Sequence, residues 1–362
     1  MVAMRTPKRC LMIGAGGMAE TWVRHILPPF GERLRVVGLV DVRQPALAAA
    51  GDFLGLDERQ RFTDLARAFD AVEADCCIIV IPAAFHTAAA IQAAQHGLPI
   101  LCEKPLADTW AACCTLYSAV SRAKVKMQVV QNYRYRAPML AMRRVLQSGA
   151  LGRLNYVVAR FADDCRDYDS WRRRHELPHA MLMDGAAHHL DMLRNLTGSD
   201  AAHVAALEWN PPWSSSQGEF CALCLLQMTN AVRATYEGNA TAAGEQHPWR
   251  AEAYRAECEG GSVTVGADQV VRIHRHTRGQ GVHTEAVPAP QPAHEGHAWI
   301  VDEFLTWLDD GPPPATTLED NLRTAAMIFG AVEAARSGQS VSVEQMVQDA
   351  LDQAAQAARA AR

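Results

Sequence analysis

The sequence predicts an α/β N-terminal domain with a doubly wound parallel sheet. It predicts a second, α+β domain with a large, mainly antiparallel open sheet. Three observations lead there. Short apolar runs alternate with helical segments over the first third, a glycine-rich turn joins the first run to the first helix, and after about Tyr133 strands follow one another with few helices between. Alternation calls for a parallel sheet covered on both faces; uninterrupted strands call for antiparallel pairing.

RCLMIG reads as a buried strand and GMAETWVRHIL as a helix; LRVVGLVD and QPALAAAGDFL repeat the pair. ADCCIIVIP, LPILC and KMQVVQN are further strands, separated by the helices TAAAIQAAQHG and TWAACCTLYSAVSRA, the latter with Asp108 as N-cap. PMLAMRRVLQSG is a helix ending at Gly149, LNYVVARF a strand with alternating faces, and residues 181–196 a helix stopped by Gly198. FCALCLLQMT, AVRATYEGN, YRAECEGGSVTVG and QVVRIHRH are strands, and HAWIVDEFLTWLDDG and NLRTAAMIFGAVEAARSG are helices. Residues 286–294 and 312–315 read as connectors, and an Ala-rich amphipathic helix starts at Val343. The expected domains are 1–133, 134–342 and a C-terminal helix or tail, 343–362.

Composition narrows the function. With 362 residues, two domains are expected. Residues 1–133 hold 14 Lys+Arg against 12 Asp+Glu and the rest 21 against 28, so no basic field for nucleic acid appears. No apolar stretch approaches the roughly 20 residues of a membrane span. The run Cys10–Ile13 is too short for the core of a signal peptide. Ten cysteines sit mostly in apolar runs, which reads as reduced core thiols in the cytoplasm. Cys221 and Cys224 have a metal or redox spacing but no second pair, so a plain strand is preferred. Only four of the 35 basic residues are lysine: Lys8, Lys104, Lys124 and Lys126. A coding bias toward Arg explains most of that shortage, yet Lys104 stands out, because an ammonium can be tuned by its surroundings where a guanidinium cannot.

Gly14-Ala-Gly16-Gly17-Met18-Ala19 follows the first strand and opens the first helix. The first Gly makes the tight turn, the second lets a pyrophosphate approach, and the small last residue brings the helix close to the sheet. Phosphates then meet the free N–H groups of a helix N-terminus. Asp41 ends the second strand, where a ribose-binding carboxylate belongs, so a Rossmann domain holding NAD is expected. Arg43 keeps NADP open, since it can accept a 2′-phosphate. Glu103-Lys104-Pro105 follows a strand, where ligands gather in such sheets; a surface Lys paired with Glu103 is the bland alternative. Asp184, His188 and Asp191 fall at i, i+4 and i+7 on one helix, a shared polar face that by itself reads as solvated.

Taken together, these motifs resemble the Gfo/Idh/MocA oxidoreductases, the glucose–fructose oxidoreductase and inositol dehydrogenase family. GAGGMA with Asp41, IPAAFH from Pro82 to His86, CEKP at 102–105, NYRYRAP at 132–138, QSGALGRL at 147–154, the D-x-x-x-H-x-x-D stretch at 184–191 and LEDNL at 318–322 occur in the family's order. The resemblance implies that Lys104 is the catalytic lysine, with Asp184 and His188 the family's acid and histidine. It implies cofactor contacts from Gly14, Gly16, Gly17, Met18, Ala19, Asp41, Arg43, Pro82, His86, Glu103, Lys104 and the pair Trp171-Arg172. Tyr135, Asp184, His188 and Trp249 are candidates for substrate contact; loop aromatics such as Trp209, Trp213 and Trp249 suit a polyol or sugar, and packing under a loop is the equal alternative. His189 lies outside the pattern; it is read as packed, with a second polar contact to substrate as the alternative. His175 and His179 near Asp184 could suggest a metal, but the family needs none, and none is expected. Arg172-Arg173-Arg174 could meet an anionic substrate; pairing with Asp163, Asp164, Asp167 and Asp169 is preferred.

The expected activity is hydride transfer between NAD(P) and a secondary alcohol of a sugar, inositol or related polyol. Histidine suits proton transfer at neutral pH, and Lys104 would stabilise charge on the same oxygen. The alternatives are a glycosidase using transient oxidation by NAD and a cofactor-binding regulator without turnover. A homodimer or homotetramer is expected, as the family's second-domain sheets often form interfaces.

Overall fold

The computed structural model describes residues 6–167, 175–244 and 246–360. The chain divides into two compact units. One runs to Gln131 and takes in His297–Leu322 and the chain from Ala350; the other is Asn132–Gly296 with Arg323–Asp349.

The first unit holds β1 (Lys8–Ile13), α1 (Met18–Thr21), β2 (Leu34–Val40), α2 (Gln44–Leu54), β3 (Arg61–Phe62), α3 (Leu65–Ala71), β4 (Cys76–Ile79), α4 (His86–Gln95), β5 (Ile100–Cys102), α5 (Trp110–Ala123) and β6 (Met127–Val129). The strands pair in parallel, in the order β3-β2-β1-β4-β5-β6. That is the doubly wound order, with its switch point between β1 and β4. Strands β4, β5 and β6 are buried at every residue, as a sheet covered on both faces demands. The first helix is not one continuous α-helix: α1 passes at Trp22–Ile26 into a wider, π-helical turn. Helix α5 is capped by Thr109, whose side chain accepts the Ala112 N–H, and not by Asp108.

The second unit begins with α6 (Ala137–Gln147) and β7 (Leu154–Ala162). A π-helical turn, Met181–Gly185, leads into α7 (Ala186–Thr197). Then come β8 (Ala201–Trp209), β9 (Cys221–Met228), β10 (Arg233–Asn239), β11 (Ala253–Cys258), β12 (Gly261–Val265), β13 (Val271–Thr277) and β14 (Gly281–Val287). The nine-stranded order is β14-β13-β12-β11-β7-β10-β9-β8-β15, where β15 is Val341–Ser342. Within this sheet, among the described residues, only β7 and β10 pair in parallel, so it is mainly antiparallel as expected. Helices α6 and α7 pack on one face. The segment YRAECEGGSVTVG is a hairpin, not one strand: β11 and β12 turn at Glu259 and Gly260. An unpredicted strand, β14, runs from Gly281 to Val287 and takes in the first two residues of the expected connector 286–294.

The later helices depart from the expected domain bounds. Helix α8 (His297–Leu308), with Trp299 and Trp307, belongs to the first unit. Lys8 pairs with Asp309 at 3.1 Å, Lys126 Nζ donates to the Trp307 carbonyl at 2.7 Å, and the Val129 N–H donates to Thr316 O. Helix α9 is Leu318–Ser337 and α10 is Val343–Ala360. Consecutive bounds at 134 and 343 miss this interleaving, because the pairings that hold 297–322 span more than 170 residues of sequence.

Candidate active site

In the first unit the glycine turn is shaped by backbone contacts. Gly14 has φ +111°, and a Cβ there would lie 2.1 Å from Val80 O, so only glycine fits. Gly16 leaves room that the Arg43 guanidinium already borders: a Cβ would meet its Nη2 at 1.9 Å. Asp41 accepts the Ala15 N–H at 2.8 Å on one oxygen and the Arg43 N–H at 2.8 Å on the other. The carboxylate therefore braces the turn it faces. No side chain caps the N-terminus of α1 at Gly17, so the N–H groups of Met18 and Ala19 open a helix end suited to an anion. This cradle fits the pyrophosphate and ribose of a dinucleotide.

At the end of β5, Glu103 is buried and strongly held. Trp22 Nε1 donates to its Oε1 at 2.9 Å, His297 Nε2 lies 3.4 Å from that oxygen, and the Lys104 N–H donates to Oε2 at 3.1 Å. Burial alone would raise the Glu103 pKa; His297, Lys104 and Trp22 outweigh it and hold the carboxyl below its usual range. The strand end thus presents Lys104, half-buried, on a fixed backbone. Pro82 is exposed ahead of α4. His86 is turned inward: its Nδ1 faces Pro105 O at 2.9 Å and its Nε2 faces Ile81 O at 2.8 Å. Burial lowers its pKa. That ring fastens the segment after β4 to the one after Lys104.

In the second unit Asp184 sits in the π-helical turn, so its spacing to His188 is not that of a regular helix. Asp184 lines a small recess with Phe161, Met181, Phe220 and Trp249. His188 is buried, its ring stacked on Tyr133 with centroids 4.2 Å apart and planes 6° from parallel. Tyr133 is kept neutral, its pKa driven up first by burial and then by the nearby Glu252 charge. Behind it, His189 Nδ1 lies 2.9 Å from the Tyr236 hydroxyl and its Nε2 3.5 Å from Glu252. His189 is 1% exposed and lies against Phe161 and Trp249, so it is packed, as preferred from sequence. Tyr135 is buried in the same turn as Tyr133.

Asp191 does not join Asp184 and His188 on a solvated face. It is wholly buried, bound by Arg134 through Nε at 2.6 Å and Nη2 at 2.5 Å, and it accepts the Thr324 hydroxyl at 2.7 Å. Every residue of α7 is buried, which is why its polar stripe needs partners. His175 is also buried, near Cys165 O and against Phe220. Cys224 lies buried in β9 with its thiol pushed up to about 12, the state of an inert core cysteine. Trp171 and Arg172, with Arg173 and Arg174, lie outside the described residues.

Sequence reading missed the supports: Trp22 and His297 on Glu103, and Tyr133, Tyr236 and Glu252 around the two histidines. The one usable signal was Tyr133 beside Arg134 in the NYRY run.

A family model described as "Oxidoreductase family, NAD-binding Rossmann fold" matches residues 8–131, and one described as "GFO/IDH/MocA C-terminal domain" matches residues 139–264. The chain belongs to the Gfo/Idh/MocA oxidoreductase family. It is accordingly an NAD-binding enzyme of the dehydrogenase type. Its relatives include the uncharacterized protein y4oX of Sinorhizobium fredii, 36% identical over 94% of this chain and 97% of that one. A D-apiose dehydrogenase of Paraburkholderia graminis is 27% identical over 87% of this chain and 84% of that one. Among solved structures, an oxidoreductase from Agrobacterium radiobacter in complex with NAD+, L-tartaric acid and magnesium superposes with a TM-score of 0.82 at 21% identity. That match covers 94% of this chain and all of the other, and shows that the Gfo/Idh/MocA fold is shared.

Proposed function

We propose that this protein oxidises a secondary alcohol of a sugar, inositol or related polyol. Bound nicotinamide cofactor supplies the hydride acceptor. His188 takes the hydroxyl proton, and Lys104 Nζ donates a hydrogen bond to the same oxygen as negative charge develops there. Asp184 orients the imidazole or holds a neighbouring hydroxyl. The observation that carries this reading is the buried imidazole of His188 laid flat on a neutral Tyr133, on the helix that continues from the Asp184 recess. The relative named for D-apiose supports a sugar-like substrate. Asp41, with its oxygens already braced on backbone, favours NAD by repelling a 2′-phosphate.

The test is NADH formation across a polyol and sugar panel. His188→Ala should lower kcat by about 10²–10⁴-fold while leaving NAD affinity in place, and Lys104→Met should lower kcat by a similar factor. An unmodified enzyme that reduces neither NAD nor NADP on any panel member would overturn the reading.

The protein acts as a homodimer or homotetramer in this proposal. Leu207, Leu223 and Leu225 are 63%, 42% and 64% exposed on neighbouring strands, an apolar patch that suits a second copy. Ten unbridged cysteines, mostly buried, support a reducing compartment, the cytoplasm. Among the described residues no helix is long and apolar enough to cross a membrane.

A further inference from the structure

Away from Asp184 and His188, one cluster of ligand-type side chains has no part in the proposed reaction. Glu208 lies near the end of β8, Glu219 just ahead of β9, and His179 on the segment leading to Met181. Their nearest donor atoms all lie within 4.8 Å of one another. His179 Nδ1 is 2.6 Å from Glu208 Oε2 and 3.6 Å from Glu219 Oε2. The Glu208 side chain is only 4% exposed, and its Oε1 is buried with no hydrogen-bond partner. A single imidazole proton cannot serve two carboxylates, and a buried oxygen left unpartnered is costly. His179 also has φ +52°, in the left-handed region.

We propose that His179, Glu208 and Glu219 bind a divalent cation of the zinc type. One imidazole nitrogen and two carboxylate oxygens form a hard-to-borderline donor set, which suits Zn²⁺ or Mn²⁺ and not a soft ion. Bonds of about 2.0–2.2 Å would need the 2.6 Å contact to open slightly and the wider ones to close, and would leave a fourth position for water. His179 and Glu219 are 39% and 36% exposed, so solvent reaches that position. The Met181 N–H already donates to the Glu219 carbonyl at 3.0 Å and the His179 N–H to its carboxylate at 3.0 Å. The ion would thus clip the segment that carries Asp184 to β8 and the approach to β9.

The experiment uses untagged, full-length protein stripped with EDTA and titrated with Zn²⁺ against a chromophoric chelator. One equivalent should bind and raise the Tm. Glu208→Gln and His179→Gly should each weaken binding at least tenfold; glycine accepts the positive φ, so that variant keeps its fold. NAD affinity should be unchanged in both. If no zinc competes with the chelator, the cluster is an ion pair only, and the proposal fails. Equal binding by native protein and both variants, or binding abolished by thiol alkylation alone, would place the ion on cysteines and overturn it too.

Discussion

In the first unit β4, β5 and β6 are buried along their whole length, whereas β9 of the second unit alternates, sending Leu223 and Leu225 outward. A sheet covered on both faces leaves chemistry only at strand ends. There Gly14, Asp41 and Glu103 each follow a strand directly, with Lys104 next, and the glycine turn is held by backbone contacts of Gly14 and Asp41. A sheet covered on one face places its functional groups between helix and strands. Around His188 those groups come from Tyr133, His189, Tyr236 and Glu252, gathered by long-range packing. The first kind of site is written locally and the second is not.

Four changes would break or sharpen that contrast, in falling order of effect. Asp191→Ala strips a buried guanidinium of its partner and should cost about 3–5 kcal/mol in denaturant unfolding. A cost below 1 kcal/mol would mean that the second unit does not depend on its buried polar contacts. Gly14→Ala drives a Cβ toward Val80 O, and should add about 1–3 kcal/mol of local strain with at least a tenfold loss of NAD affinity by calorimetry. Normal NAD binding by this variant would show that the turn is not the cofactor cradle.

A pH effect comes third. Glu103 has a folded pKa held below its unfolded value of about 4.3, so its contribution is complete above that pH and lost as pH falls through the lower folded value. Glu103→Gln should flatten the acid limb of a stability profile by about 1 kcal/mol. An unchanged acid limb would contradict the assignment of Trp22 and His297 as its supports. Last, Leu225→Glu should alter unfolding by less than about 0.5 kcal/mol, yet shift sedimentation toward a smaller species. A variant of unchanged mass would remove the outer sheet face from the oligomer proposal.

Strands β1, β2, β4, β5 and β6 of the first unit were legible as mainly apolar runs, β1 leading into Gly14, β2 into Asp41 and β5 into Glu103-Lys104-Pro105; β3 and α3 were not, because a two-residue strand and a seven-residue helix leave too short a pattern. The motif residues of the second unit were legible as a pattern, but their roles were not. Asp184 and Asp191 look alike on a helical wheel; one lines a recess and the other neutralises Arg134. The π-helical turn at Met181–Gly185 breaks the regular spacing that made them seem equivalent. His86 reads from its motif as a cofactor contact, and its ring faces two backbone carbonyls instead.

By itself the sequence determined the parallel and antiparallel sheets, the glycine turn with Asp41, and the family. The sheets and the turn depend on runs and spacings within one or two elements, and the family on the order of short motifs along the chain. Only the tertiary structure decided that 297–322 packs with the first unit, that Asp191 is structural, and that Glu208 meets His179. Each of these rests on burial, which makes a polar group seek whatever partner the fold brings near, at any distance along the chain.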